Sequence, residues 1–283
     1  MRLFKSRLRA LLVGMAMCVG TVAGSPDVAA QSLSQQFEQQ ADQQYHQLLQ
    51  EASAKGALAP DSSADVQRLR RIQQRIVPFT YAVNPRAQQW KWEVNLLGSK
   101  QINAFCMPGG KIAFFSGILN QLRLTDDEIA IVMGHEITHA LREHGVEQAQ
   151  KQAYGELAAR AGGALLSQWL GINPNITDLG ARAANQLFQL RFSRADESEA
   201  DAVGLELAAR AGFDPRAGVA LWQKMAQASQ GGPPQWLSSH PAGNNRIQQI
   251  QNRMPAVLPL YAQAVGKTVD QLPPYRTTAI AAK

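Results

Sequence analysis

The chain has 283 residues, 45% of them hydrophobic and 18% charged, with a formal net charge of +6. That is apolar content for a sizeable core in one large domain or two small ones, so it reads as a globular protein. Half of the positive excess sits in the first thirty residues, where Arg2, Lys5, Arg7 and Arg9 outweigh Asp27. The rest is mildly basic with no run of Lys or Arg, which argues against nucleic acid as a partner.

The basic head, an apolar stretch over residues 10–24 and the small residues Val28-Ala29-Ala30 form a secretory signal peptide, with cleavage expected near Ala30 and the periplasm as destination. The alternative is a retained N-terminal anchor, but the apolar part is shorter than the roughly 20 residues a spanning helix needs. Cys18 is preceded by Met17 rather than a small residue, which argues against lipoprotein processing. Cys106 is then the one cysteine of the mature chain, so its stability must come from a core or a metal rather than a disulfide.

Residues 31–60 are rich in Gln and Ala, with Leu33, Phe37, Tyr45, Leu48 and Leu49 at loosely helical spacing, as in a surface helix of modest stability. Residues 64–77 place Val66, Leu69, Ile72, Ile76 and Val77 on one helical face, with Pro78 as the expected stop. "WKWEVNLL", "INAFCM" and "KIAFFS" read as strands, the last two joined at Pro108-Gly109-Gly110, which predicts a small antiparallel sheet. From Ser116 the pattern is helical, with further helices expected over residues 152–170, 178–192, 195–211 and 215–228 and a proline-interrupted tail from Pro255. The expected division is a signal peptide (1–30), an N-terminal helical segment (31–67), a main domain (68–254) and a tail (255–283).

The stretch "TDDEIAIVMGHEITHALREHG" carries the chemistry. Thr125 with Glu128 three residues later is a capping box that starts a helix, and Gly145 is placed to end it in a left-handed conformation. His135 and His139 lie four apart and share a helical face, from which two imidazoles can reach one zinc ion at about 2.0 to 2.1 Å. Glu136, about 100° around the helix, is placed to take a proton from water beside the metal, the arrangement of a zinc-dependent peptidase. A third histidine on the longer pattern would fall where Gly145 stands, so the third ligand must come from elsewhere. In "RADESEADAVGLELAARAGFDP", Glu197 and Asp201 share a face, so one can bind metal while the other orients a histidine. Glu199 is rotated about 200° from Glu197, so its removal should leave the metal in place. His144 is expected to point away from the metal face and to be structural.

Four segments in order, "NAFCMPGGKIAFFSGIL", "HEITHALREHG", "SRADESEADAVGLELAARAGFDP" and "SSHPAGNNRI", resemble peptidase family M48. The similarity is to its soluble periplasmic BepA- and LoiP-like branch, without the membrane-spanning helices of the HtpX and prenyl-protease branches. The resemblance implies an α+β, mostly helical zincin-type metallopeptidase with a small antiparallel sheet bordering the active-site cleft. It implies one zinc per chain held by His135, His139 and Glu197, with Glu136 as general base and Asp201 behind a histidine ligand. It adds His240 as an oxyanion stabiliser or a latch on the open metal position, and Arg246 from the same motif. Asn103, Ala104 and Phe105 fall on the strand whose edge would pair with an extended peptide. Cys106 on that strand reads as a packed residue, not a nucleophile. The implied substrates are unfolded or misassembled envelope proteins, with peripheral association with the envelope membrane or the outer-membrane assembly machinery. Two rivals are a zinc-stabilised chaperone or assembly factor with little hydrolysis, and a membrane-binding protein anchored through residues 156–172. That stretch has Arg160 as its one basic residue, which favours a packed helix or a lid over the cleft.

Overall fold

In chain order the computed structural model has helices α1 (Pro26–Ala54) and α2 (Ala64–Thr80), strands β1 (Glu93–Leu97), β2 (Ala104–Met107) and β3 (Lys111–Phe115), and helices α3 (Ser116–Leu122) and α4 (Asp126–Leu141). Helices α5 (Arg194–Arg210), α6 (Ala217–Ala228), α7 (Gln235–Ser239) and α8 (Arg246–Ala264) follow. It describes residues 26–148, 192–229, 234–241 and 245–281, with side chains from residue 34 onward. Residues 1–25 of the signal peptide expected over 1–30, the helix expected over 152–170, the one expected over 178–192 except for Phe192, and the stretch 156–172 lie outside the described residues, while residues 26–30 belong to α1.

The sheet has the order β1-β3-β2 and is mixed. Strands β2 and β3 form the expected hairpin, closed by Gly109 (φ 82°) and Gly110 (φ 77°) at values an L side chain resists. Strand β1, expected antiparallel, instead pairs parallel with β3, from Glu93 opposite Lys111 to Leu97 opposite Phe115. The strand period of two divides β3 between two cores. Ile112 and Phe114 join Val94, Leu96 and Ala104 in the main core with α2 and α4, while Ala113 and Phe115 face Ala41, Tyr45, Leu48 and Ala52 of α1. Helix α1, read from the sequence as a surface helix, therefore packs on one face of the sheet. Tyr45 donates its hydroxyl to the Ile112 carbonyl, and buried Lys111 reaches Asp42 Oδ1 (3.0 Å) and Glu93 Oε1 (2.6 Å), tying α1 to β1 and β3.

Two proline readings are corrected. Helix α2 passes through Pro78 to Thr80, and α8 contains both Pro255 and Pro259 where a structureless tail was expected. All three prolines are exposed, and the carbonyls of Gln74 and Gln251, which lose their N–H partners, belong to exposed residues where water can replace them. Among the described residues no helix is long and apolar enough to cross a membrane.

Candidate metal centre

Helix α4 begins with the expected capping box: Glu128 N–H donates to Thr125 Oγ1 (3.2 Å) and Thr125 N–H to Glu128 Oε2 (2.8 Å). It ends earlier than expected, at Leu141, and Glu143 (φ 57°) rather than Gly145 takes the left-handed position. Helix α5 starts on a second box, Ser193 with Asp196. The two helices cross at backbone contact: a Cβ on Gly134 would lie 2.7 Å from the Gly204 carbonyl oxygen, and one on Gly204 would lie 2.7 Å from His135 N. This approach brings the His-Glu-x-x-His face of α4 against Glu197 and Asp201 of α5.

His135, His139, Glu197 and His240, all buried, place one ligand atom each within 4.8 Å of the others. His135 Nε2 is 3.1 Å from both His139 Nε2 and His240 Nδ1, and Glu197 Oε1 is 2.9 Å from His240 Nδ1 and 3.4 Å from His139 Nε2. Ligand atoms around a tetrahedral zinc at 2.0–2.1 Å stand about 3.3 Å apart, so the donor set and its spacing fit that ion. The proton logic agrees: Asp201 Oδ1 lies 3.0 Å from His135 Nδ1, closer than the Arg246 Nη2 donor at 3.3 Å, and with Nδ1–H directed at the carboxylate Nε2 turns a lone pair inward. Inward lone pairs so close together call for a cation.

Arg246, the first residue of α8, donates to Asp201 Oδ2 through Nε (2.6 Å), to Asp201 Oδ1 through Nη2 (2.7 Å) and to Glu197 Oε2 through Nη1 (2.5 Å), and stacks over Trp222 at 3.9 Å. Burial alone would raise the Asp201 pKa, but Arg246 and His135 bring it below the usual carboxylate value. For Glu197 burial is likewise outweighed, here by His240, His139 and His135, which hold it far below the usual range. Burial pushes His139 well below the ordinary imidazole value. His240 is also buried, yet Glu136 and Glu197 raise it.

Three contacts were not legible from the sequence. Trp236 Nε1 donates to Glu136 Oε1 at 2.6 Å, and its ring lies 5.0 Å from that of His240. His144, expected to point away, has its Nδ1 3.0 Å from His139 Nδ1, because α4 stops at Leu141 and the left-handed turn at Glu143 breaks its register before helix resumes at residue 144. Glu199 stands outside the four-residue group but 3.2 Å from His144 Nε2. The one signal for Trp236 was its place four residues before His240, in a segment where no helix had been expected.

Beside the histidines is a cavity of about 80 Å³ whose lining includes Phe37 and Ala41 of α1, Phe105 and Met107 of the edge strand β2, and Glu136 and His139. Asn103 is fully buried, and its Nδ2 has no hydrogen-bond partner among the described residues. Cys106 also lines the cavity, its thiol pushed well above its ordinary pKa first by burial and then by Glu136, which keeps it a poor nucleophile. A second acid–histidine group, Asp42, His46 and Glu93, has Lys111 Nζ against both carboxylates.

A helix bearing His-Glu-x-x-His, crossed by a second helix that contributes a carboxylate, is the architecture of a zincin-type metallopeptidase. The chain belongs to peptidase family M48, whose model matches residues 63–254. It is 34% identical over 191 residues to "Metalloendopeptidase OMA1, mitochondrial" of Bos taurus, covering 62% of this chain but 34% of that protein. The chain thus spans about a third of that relative's length. "Metalloprotease LoiP" of Escherichia coli matches at 29% identity over 266 residues, 88% of this chain and 98% of the relative. "Beta-barrel assembly-enhancing protease" of Yersinia pestis is 32% identical over 166 residues, 56% of this chain and 33% of its own.

Proposed function

We propose that the chain is an exported zinc metalloendopeptidase that hydrolyses peptide bonds in unfolded or misassembled envelope proteins. The observation that carries this reading is the convergence of His135, His139, His240 and Glu197 ligand atoms immediately beside the buried carboxylate of Glu136. His135, His139 and Glu197 would hold zinc, which when bound acts as a Lewis acid and makes water a nucleophile near neutral pH. Glu136 accepts the proton of the attacking water and returns it to the leaving amine. Strand β2, at the sheet edge, accepts an extended substrate by main-chain pairing along Asn103, Ala104 and Phe105. Main-chain recognition suits a range of unfolded sequences. Asp201 and Arg246 orient His135 and Glu197. His240, whose Nε2 lies 3.5 Å from Glu136 Oε1 and whose Nδ1 lies 2.9 Å from Glu197 Oε1, would stabilise the oxyanion or serve as a latch that yields to substrate. The name of the Yersinia relative supports an envelope setting and contact with outer-membrane assembly.

The test is zinc content together with cleavage of unfolded casein. Wild type should hold one zinc and cleave. His135→Ala and His139→Ala should lose both properties, since two remaining protein ligands do not make a tight site. Glu136→Gln should keep zinc and lose about 10² to 10⁴ in rate. Wild-type turnover in Glu136→Gln would rule out Glu136 as the base, and a wild type that binds zinc without cleaving would favour a zinc-stabilised assembly factor.

A further inference from the structure

The two histidines of the His-Glu-x-x-His stretch are each backed by a partner on the ring nitrogen facing away from the cluster. For His135 the partner is the Asp201 carboxylate. For His139 it is another imidazole, with His144 Nδ1 at 3.0 Å from His139 Nδ1. Two ring nitrogens at that distance must be one donor and one acceptor, and Glu199 decides which is which. Its Oε2 lies 3.2 Å from His144 Nε2 and can only accept, so in a neutral His144 ring Nε2 carries the proton and Nδ1 the lone pair. His139 Nδ1–H then donates to His144, and His139 Nε2 presents its lone pair to the cluster, toward His135 Nε2 and Glu197.

Resting on the metal-centre reading above, we propose that His144 and Glu199 form an orienting relay that fixes the tautomer and ring position of His139, as Asp201 does for His135. They are positioning residues, outside the four-residue group and joined to it through the outward nitrogen of His139. The backbone is shaped for this role. A helix continued past Leu141 would put His144 about 140° around the axis from His139. Instead Glu143 adopts φ 57°, uncommon outside glycine, and this turn breaks the register before helix resumes at residue 144, so that His144 is buried against His139. Both ends of the detour are secured: Asn84 Nδ2 donates to the Leu141 carbonyl (2.9 Å), while Arg86 Nη1 (2.6 Å) and Ser34 Oγ (2.9 Å) donate to the Glu143 carboxylate. Arg142 Nε, 2.9 Å from Glu199 Oε1, holds the far end of the relay. Helix α5 thereby supplies a ligand, Glu197, and the terminal carboxylates of both relays, Asp201 and Glu199. The bland alternative is that His144 is a buried ring that happens to find two partners.

Zinc affinity of the full chain, measured by chelator competition, separates the two. His144→Phe should raise the zinc Kd by about 10- to 100-fold, the range typical when the partner behind a metal-binding histidine is removed. Glu199→Ala should shift it the same way by a smaller factor, against the sequence-based expectation of no effect. The double variant should lose no more than His144→Phe alone, because the two act through one ring. His144→Gln, whose side-chain oxygen still accepts from His139 Nδ1, should restore much of the affinity. Glu206→Ala, at a half-buried position of α5 whose carboxylate pairs with Arg210 and not with the cluster, should leave Kd unchanged. Kd within twofold of wild type in both His144→Phe and Glu199→Ala overturns the relay, as does an additive loss in the double variant. If His144→Phe fails to fold by circular dichroism, Glu199→Ala decides alone by the same limit. A wild-type chain that binds no zinc brings down the metal-centre reading and the relay together, whereas zinc binding indifferent to these variants brings down the relay alone.

Discussion

Glu136 shows how much a single side chain depends on one donor. A buried tryptophan needs an acceptor for its indole N–H, and Trp236 finds it in the Glu136 carboxylate at 2.6 Å, a charge-assisted bond stronger than a neutral one. That bond ties down Oε1, while Oε2 accepts no hydrogen bond among the described residues and is the oxygen that the proposed mechanism gives to water. The Trp236 backbone N–H also donates to the Ile102 carbonyl (3.1 Å), just before β2, so one residue links the base to the strand expected to carry substrate. Trp236→Phe keeps the ring and deletes the donor. Turnover of casein should fall about tenfold, the equivalent of the ~1.4 kcal/mol of one modest hydrogen bond to a charged group, with KM and zinc stoichiometry nearly unchanged. In a Glu136→Gln background the same change should cost nothing further. A wild-type kcat for Trp236→Phe would show that the carboxylate needs no such restraint.

The crossing of α4 and α5 carries the site at the next scale. A methyl group on Gly204 would collide with His135 N, a backbone atom that cannot yield without moving the helix bearing both histidines. Gly204→Ala should therefore destabilise the metal-free protein by about 1–3 kcal/mol, overpacking outweighing alanine's better helix propensity, and weaken zinc binding as well. Gly218→Ala in α6 meets Leu205 Cδ2 at 3.1 Å, the end of a flexible side chain, and should change stability far less. Equal denaturant midpoints for the two variants would refute the backbone-contact argument. This crossing was not readable in the sequence, although both helices were. Local chemistry announces itself: Thr125 with Glu128 gave the start of α4, Pro108-Gly109-Gly110 gave the hairpin, and the four-residue spacing of His135 and His139 gave a shared face. Non-local choices do not. Nothing near Glu93 says that β1 will pass β2 and pair parallel with β3, and nothing in Pro255 or Pro259 says that their lost hydrogen bonds will face water. His144 was misplaced for the same reason, since the left-handed turn at Glu143 depends on Asn84 and Arg86, more than fifty residues earlier.

Across the whole molecule, α4, α5, α7 and α8 meet at the cluster, where Arg246 bridges the half-buried carboxylate of Asp201 and the buried one of Glu197. Asp201 and Glu197 have folded-state pKa values below those of the unfolded chain, so each adds stability above the unfolded value of about 4. That contribution is lost as pH falls below about 4 and through the folded value, where the native state must accept protons it disfavours. Arg246→Leu retains much of the side-chain volume over Trp222 while leaving Asp201 and Glu197 without their guanidinium. At pH 7 this should cost about 3–5 kcal/mol in the metal-free protein, as removing one partner of a buried ion pair typically does. Because Asp201 then has a more ordinary pKa, the acid-dependent part of the stability should shrink. Urea unfolding at several pH values between 7 and 3 should give converging wild-type and Arg246→Leu stabilities toward the acid end. Parallel curves offset by a constant amount would mean that Arg246 acts through packing on Trp222 rather than by holding the carboxylates charged. Saturating zinc should narrow the gap at pH 7 if the variant still binds it, since a ligand that binds only the native state adds about 4 kcal/mol at a thousandfold excess over Kd.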